Sequence, residues 1–268
     1  MTRREVKTGY SQNSLPYVRF GDGLPILVIF NGLDFSHKPA SGIMLRMMLS
    51  SYSRLAKEFT VYLVSRKPGL PIGYTMQQMS DDYATMIKED IKQRVDIMGI
   101  STGGPMAQYF AVDHPDLVKH LVLASTGYCL SESGKQLQRD FGNLVKKGKW
   151  RAASALFAGA VASGVTKPVL SSLMWLFGRI MFGSPSNPSD GLVEIEAEDV
   201  HNFKDRLADI NVPTLVIGGE KDFFYPIAET AAGIPNAKLI LYKGAGHLAM
   251  MKSQFSHDIV AFLTEASI

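Results

Sequence analysis

The sequence is poor in cysteine, in net charge and in uninterrupted apolar runs. Cys129 is its single cysteine, which excludes an intramolecular disulfide and any metal site built on a cysteine cluster; this composition suits a reducing, cytoplasmic setting. The formal net charge is +3 at pH 7, too small to argue for a nucleic-acid partner. Residues 1–18 carry charge but no apolar stretch of the kind a secretory signal needs, so none is expected. The most apolar region, Ala155 to Phe182, is split by Lys167-Pro168 and interrupted by Arg179. Neither half reaches the length a bilayer requires. Internal repeats and low-complexity tracts are not found. What is present is apolar material: 46% of the 268 residues are hydrophobic and 20% charged, enough for one large α/β domain or one domain carrying an insertion.

Buried strands announce themselves as short runs rich in β-branched residues. Pro25 to Phe30, Phe59 to Val64, Val95 to Met98 and Leu121 to Ala124 read this way; Val212 to Ile217 and Lys238 to Tyr242 read as two further strands, and residues 1–24 as an edge with a short strand at Tyr17 to Phe20. Helices are expected between them, over about 40–57, 75–93 and 226–233, with a closing helix marked by Phe255, Ile259, Phe262 and Leu263. Strands alternating with helices predict an α/β fold, a doubly wound and mostly parallel sheet. The alternation lapses between 128 and 205, where helical stretches and no clear buried strand are found. The expected organisation is therefore a core of residues 1–127 and 206–268 with a helical insertion at 128–205.

The third apolar run leads into Gly99-Ile100-Ser101-Thr102-Gly103, and helical spacing follows at Met106, Phe110 and Ala111. Strand, G-x-S-x-G and helix together describe a very tight turn that exposes a serine at its apex. The two glycines remove the Cβ atoms that would collide there. In open α/β sheets ligands gather at the carboxyl ends of strands, and two further strand ends carry suitable chemistry. His247 follows the last strand and is the candidate base that would activate the Ser101 hydroxyl. Asp222 follows the preceding strand and is the candidate partner that orients the imidazole; Glu220, two residues earlier, competes for that role. The chain order is serine, acid, histidine.

At these residues the sequence resembles the α/β-hydrolase-fold superfamily, with a helical cap inserted after the sixth strand. The resemblance covers nearly the whole chain. It also includes Ile210-Asn211-Val212-Pro213-Thr214-Leu215, Gly219-Glu220-Lys221-Asp222, Gly244-Ala245-Gly246-His247 and Met79-Ser80-Asp81-Asp82. The resemblance implies a serine hydrolase, with Ser101, Asp222 and His247 catalytic and the backbone amides of Leu33 and Thr102 as the oxyanion hole. Where the family commonly has His-Gly, this chain has Asn31-Gly32, which leaves open how that loop is braced. No metal or organic cofactor is implied. The substrate class expected is a small or medium carboxylic ester with an apolar part. Amide, thioester or carbon–carbon bond hydrolysis, cofactor-free peroxidase chemistry and a low-turnover ligand-binding module are the alternatives.

The 128–205 segment is expected to choose the substrate. Its basic residues, Lys135, Arg139, Lys146, Lys147, Lys149 and Arg151, read as a solvated helix face rather than a lipid or nucleic-acid patch. Its apolar residues read as cap helices packed on the core, some lining an apolar pocket; an interfacial lid is the other reading, although membrane contact is not expected. Cys129, Leu173, Phe177 and Leu248 are the candidate pocket residues, with a packed thiol as the plainer role for Cys129. Residues 183–191 are expected to form a loop. The acidic run Glu194, Glu196, Glu198 and Asp199 reads as a solvated helix start. His37, His114, His120, His201 and His257 read as surface or loop residues, His201 alone being placed where it could touch substrate.

Overall fold

The protein is described by a computed structural model covering residues 5–23, 25–161, 171–176 and 188–265. Eight strands form one sheet: β1 (Lys7–Tyr10), β2 (Pro16–Phe20), β3 (Ile26–Phe30), β4 (Thr60–Val64), β5 (Val95–Ile100), β6 (Val118–Ala124), β7 (Thr214–Gly219) and β8 (Lys238–Tyr242). Their spatial order is β1-β2-β4-β3-β5-β6-β7-β8. β1 and β2 pair antiparallel, as do β2 and β4, and every other neighbouring pair is parallel.

The apolar runs of β3 to β7 are continuous because both faces of the sheet are covered there, whereas β8 at the sheet edge is exposed or half-buried throughout. Alternate residues of β3 go to opposite cores: Val28 and Phe30 pack with Tyr83 and Phe110, whereas Leu27 and Ile29 pack with Leu55, Phe255 and Ile259. The first face is covered by α3 (Met76–Met86) and α4 (Gly103–Asp113), with α8 (Ile227–Gly233) beside them. The other is covered by α1 (Gly42–Ser51), α2 (Leu55–Glu58) and α9 (Ser253–Glu265). The helix expected over 40–57 is thus two helices, parted at Tyr52–Arg54. α3 begins with a reciprocal cap between Thr75 and Gln78.

Between β6 and β7 the chain leaves the sheet. α5 (Glu132–Lys146), α6 (Trp150–Val161), a helical stretch at 171–176 and α7 (Ser189–Asp199) lie there, and among the described residues the only extended pairing is an isolated bridge between Cys129 and Asn202. Phe35, Phe141, Val145, Trp150, Ala153 and Ile195 form a small third core that ties these helices to the loop after β3. The loop expected at 183–191 is corrected at its end, since α7 begins at Ser189; residues 183–187 lie outside the described residues. No helix among the described residues is long and apolar enough to cross a membrane.

Three of the histidines read as surface or loop residues are buried: His37 in the loop after β3, His120 and His201. His120 sits on β6 and its Nδ1 meets Asp96 Oδ1 on β5 at 2.7 Å, so a polar pair is hidden inside runs that otherwise read as apolar. His201 is enclosed by the rings of Tyr109 and Phe203, and neither ring nitrogen has a hydrogen-bond partner among the described residues. Burial lowers its pKa to about 3.

Candidate active site

Ser101 stands at the end of β5 with φ at +50°, in the left-handed region that a side-chain-bearing residue adopts only under constraint. The glycines on either side make this possible. A Cβ on Gly99 would lie 2.7 Å from Gly104 Cα, and one on Gly103 would overlap the Phe30 carbonyl. The turn therefore lies hard against β3 and α4.

From the ends of β7 and β8, two more side chains converge on this apex. His247 Nε2 lies 3.2 Å from Ser101 Oγ, and His247 Nδ1 lies 2.9 Å from Asp222 Oδ2. The Asp222 carboxylate accepts, so Nδ1 carries the proton, and in the neutral ring Nε2 is then the acceptor that faces the serine. The other Asp222 oxygen accepts the amides of Phe224 and Tyr225 at 2.8 and 3.2 Å, which fixes the carboxylate plane. Glu220 turns elsewhere and accepts the Gly244 amide. Phe224 packs against the His247 ring at 4.8 Å between centroids. Asp222 and His247 are buried, and Ser101 is partly exposed.

Gly32 abuts the nucleophile turn: a Cβ there would lie 3.6 Å from Ser101 Cβ. Among the described residues neither the Leu33 nor the Thr102 amide has a protein acceptor. The brace for Asn31-Gly32 is Arg66, a fully buried residue just past β4. Its Nη1 donates to the Asn31 carbonyl at 2.7 Å and its Nη2 to the Gly32 carbonyl at 2.8 Å.

The acidic run of α7 is the largest departure from the sequence reading. Glu196 and Asp199 face outward and pair with Lys146 and Arg139 of α5. Glu194 and Glu198, one helical turn apart, have no exposed surface at all. Glu194 meets Arg66 and His37. His37 is buried too, and its Nδ1 faces the Lys67 carbonyl at 3.0 Å. Since a carbonyl and a carboxylate both accept, the ring donates from both nitrogens and is an imidazolium. Burial opposes that charge, but Glu194 outweighs it and the His37 pKa is raised. Asp34 closes the cluster: burial would raise its pKa, but Arg66 and hydrogen bonds from Ser65 and Ser36 hold it low.

Glu198 accepts from Thr102 Oγ1 at 2.9 Å, Gln138 Nε2 at 2.8 Å and the Tyr225 hydroxyl at 2.5 Å. Burial raises its pKa despite these donors. The Tyr225 hydroxyl also lies 3.5 Å from Ser101 Oγ. Burial, and Glu198 beside it, keep that phenol from ionising.

The remaining candidates are less central. Cys129 is half-buried at the start of the helical segment, where burial pushes its thiol up. Leu173 is half exposed, and Leu248 is half-buried in the turn that follows His247. Phe177 lies outside the described residues. His201 does not reach Ser101; its neighbours are Tyr109 and Phe203. A cavity of about 420 Å³ adjoins the Asn31–Leu33 loop between Asp34, Lys38, Met44 and Ser65, and neither Ser101 nor His247 lines it.

Comparison with known proteins bears on this geometry. The family model described as the alpha/beta hydrolase fold matches residues 62–254. The chain is 20% identical over 240 residues to a pimeloyl-[acyl-carrier protein] methyl ester esterase of Legionella pneumophila, covering 87% of this chain and 91% of that protein. It is 26% identical to a 2-hydroxy-6-oxononadienedioate/2-hydroxy-6-oxononatrienedioate hydrolase of a Pseudomonas species, over 97% of this chain and 95% of that one. Among solved structures, the enol-lactonase from Burkholderia xenovorans superposes with a TM-score of 0.76 at 20% identity, covering 96% of this chain and all of the other.

Proposed function

The chain belongs to the alpha/beta hydrolase fold family, and from that premise we propose that it is a serine hydrolase acting on a small or medium carboxylic ester with an apolar part. The observation that carries this reading is the hydrogen-bonded chain from Ser101 through His247 to Asp222, with the serine on a strained turn. Ser101 Oγ attacks the carbonyl carbon as its proton passes to His247 Nε2. Asp222 holds the tautomer and stabilises the imidazolium. The Leu33 and Thr102 amides receive the developing alkoxide, and fixed donors of this kind are worth about two to three orders of magnitude in rate each. His247 then protonates the departing alcohol. Water, deprotonated by the same imidazole, cleaves the acyl-enzyme. No step calls on a metal or an organic cofactor.

The helical segment between β6 and β7 is proposed to act as the cap that admits and sizes the substrate, with Cys129, Leu173 and Leu248 toward its pocket. The test is labelling with a serine-directed fluorophosphonate beside Ser101→Ala and His247→Ala, followed by hydrolysis of p-nitrophenyl esters of increasing chain length. Labelling that requires both residues, with steady turnover, is the expected result. A well-folded protein that neither labels nor turns over would instead be a binding module on this fold.

A further inference from the structure

We infer that one face of α7 sets both halves of the oxyanion hole, Glu194 acting through Arg66 on the Leu33 amide and Glu198 acting through Thr102 Oγ1 on the Thr102 amide. The inference rests on the proposed hydrolase reading, in which those two amides are the donors.

The first half follows from peptide geometry. No cis peptide bond occurs among the described residues, so the Gly32 carbonyl and the Leu33 N–H point in opposite directions across one plane. Arg66 pins that carbonyl from one side and the Asn31 carbonyl beside it. The Leu33 N–H is thereby turned away from Arg66, on a loop whose Gly32 abuts Ser101. Arg66 is itself held by Glu194, whose other oxygen is taken by His37. Guanidinium is a rigid planar fork, so fixing it at one edge fixes the direction of its remaining donors.

The second half is more direct. Thr102 contributes its own amide, and its hydroxyl is tied to Glu198, whose carboxylate is locked by Gln138 and Tyr225. Residues four apart on a helix share a face, so a single placement of α7 determines both ties. Two fully buried carboxylates on one short helix are costly. Leucines would cover the same face at lower cost, but they could not orient a carbonyl-bound guanidinium and a threonine hydroxyl. Glu194, Glu198 and Arg66 are therefore positioning residues, and the segment proposed to cap the site also tunes its electrostatics.

The experiment compares wild type with Glu194→Gln, with the double variant Arg66→Met/Glu194→Leu, and with Thr102→Val. Each is assayed by p-nitrophenyl acetate kinetics, fluorophosphonate inactivation, affinity for a trifluoromethyl ketone and thermal melting. Wild type decides the underlying reading first: if it is folded but neither labels nor turns over, that reading fails and takes the inference with it. Given an active wild type, Glu194→Gln is expected to lower kcat at least about tenfold with KM little changed. The double variant removes the Arg66–Glu194 pair but leaves His37 and Asp34 without those partners, so it is assayed below its own melting temperature, where its kcat is expected to stay down by about a hundredfold. Ketone affinity, which depends on the hemiketal oxyanion, falls in parallel. A purely structural role predicts the opposite, full activity in whatever fraction of the variant is folded. If kcat and ketone affinity of the folded charge-removal variants lie within twofold of wild type, the inference is overturned. Should neither of those variants fold, Thr102→Val carries the test: a fall in kcat of about tenfold at unchanged KM supports it, and kcat within twofold of wild type overturns it.

Discussion

Replacing His201 by phenylalanine should flatten the acid limb of the stability curve. In the native protein the imidazole is enclosed by Tyr109 and Phe203, its nitrogens have no hydrogen-bond partner among the described residues, and its pKa falls from 6.5 to about 3. The unfolded chain therefore binds a proton below pH 6.5 that the native state refuses until far lower pH. Stability must then fall as pH drops, by about 1.4 kcal/mol per pH unit within that window. At pH 5.0 the accumulated loss is about 2 kcal/mol relative to neutral solution. Phenylalanine keeps an aromatic ring against the same neighbours and cannot titrate. Urea unfolding of both proteins at pH 7.5, 6.0 and 5.0 provides the check, since every other titrating group is common to the pair and cancels in the difference. The expected difference widens in favour of His201→Phe by about 2 kcal/mol between pH 7.5 and 5.0. Parallel curves would refute the claim that this imidazole is held neutral by burial.

His37 should behave in the reverse sense. Its pKa is raised by Glu194, so the stability it contributes is fully present below about pH 6.5 and is lost as pH rises through the elevated native value; the cost of His37→Gln by urea unfolding should shrink toward alkaline pH. Asp222→Asn should lower ester turnover by about four orders of magnitude while leaving the melting temperature near wild type, because an amide at that site favours the wrong tautomer of His247. Gly103→Ala places a methyl group into the Phe30 carbonyl, where backbone on both sides resists movement, and should destabilise the protein by about 3 kcal/mol in denaturant titration.

The parts of this molecule visible in its sequence are those whose signal is local. Ser101 is flanked by its own glycines, and Asp222 and His247 each follow an apolar run that reads as a strand, β7 buried and β8 at the exposed sheet edge. β1 escaped because Lys7 to Tyr10 is short, exposed at the sheet edge and antiparallel, so it lacks the apolar run that marks its neighbours. The buried carboxylates escaped for a different reason. Glu194 and Glu198 look like any solvated acidic helix until Arg66 and Thr102 are brought to them from 128 and 96 residues away. The one available cue was their spacing of four, which sets them on a face apart from Glu196. Arg66 offered a cue as well, a charged residue directly after a strand, at the end of the sheet where ligands gather. The burial of His37, His120 and His201 was not visible because a histidine carries no local mark of it; each gains a partner distant in the chain, Glu194, Asp96 and Tyr109 in turn.

The separation of the three polar side chains along the chain has a kinetic consequence. Ser101 and His247 are 146 residues apart, and the strands that carry them touch only through β6 and β7. That central pair is parallel and flanks the whole helical segment, so no hairpin can nucleate it. A refolding chain must close its longest loop before Ser101 meets His247, and such non-local closures come slowly. On the proposed reading, fluorophosphonate labelling of Ser101 during refolding is expected to count only molecules in which every strand from β5 to β8 has found its place.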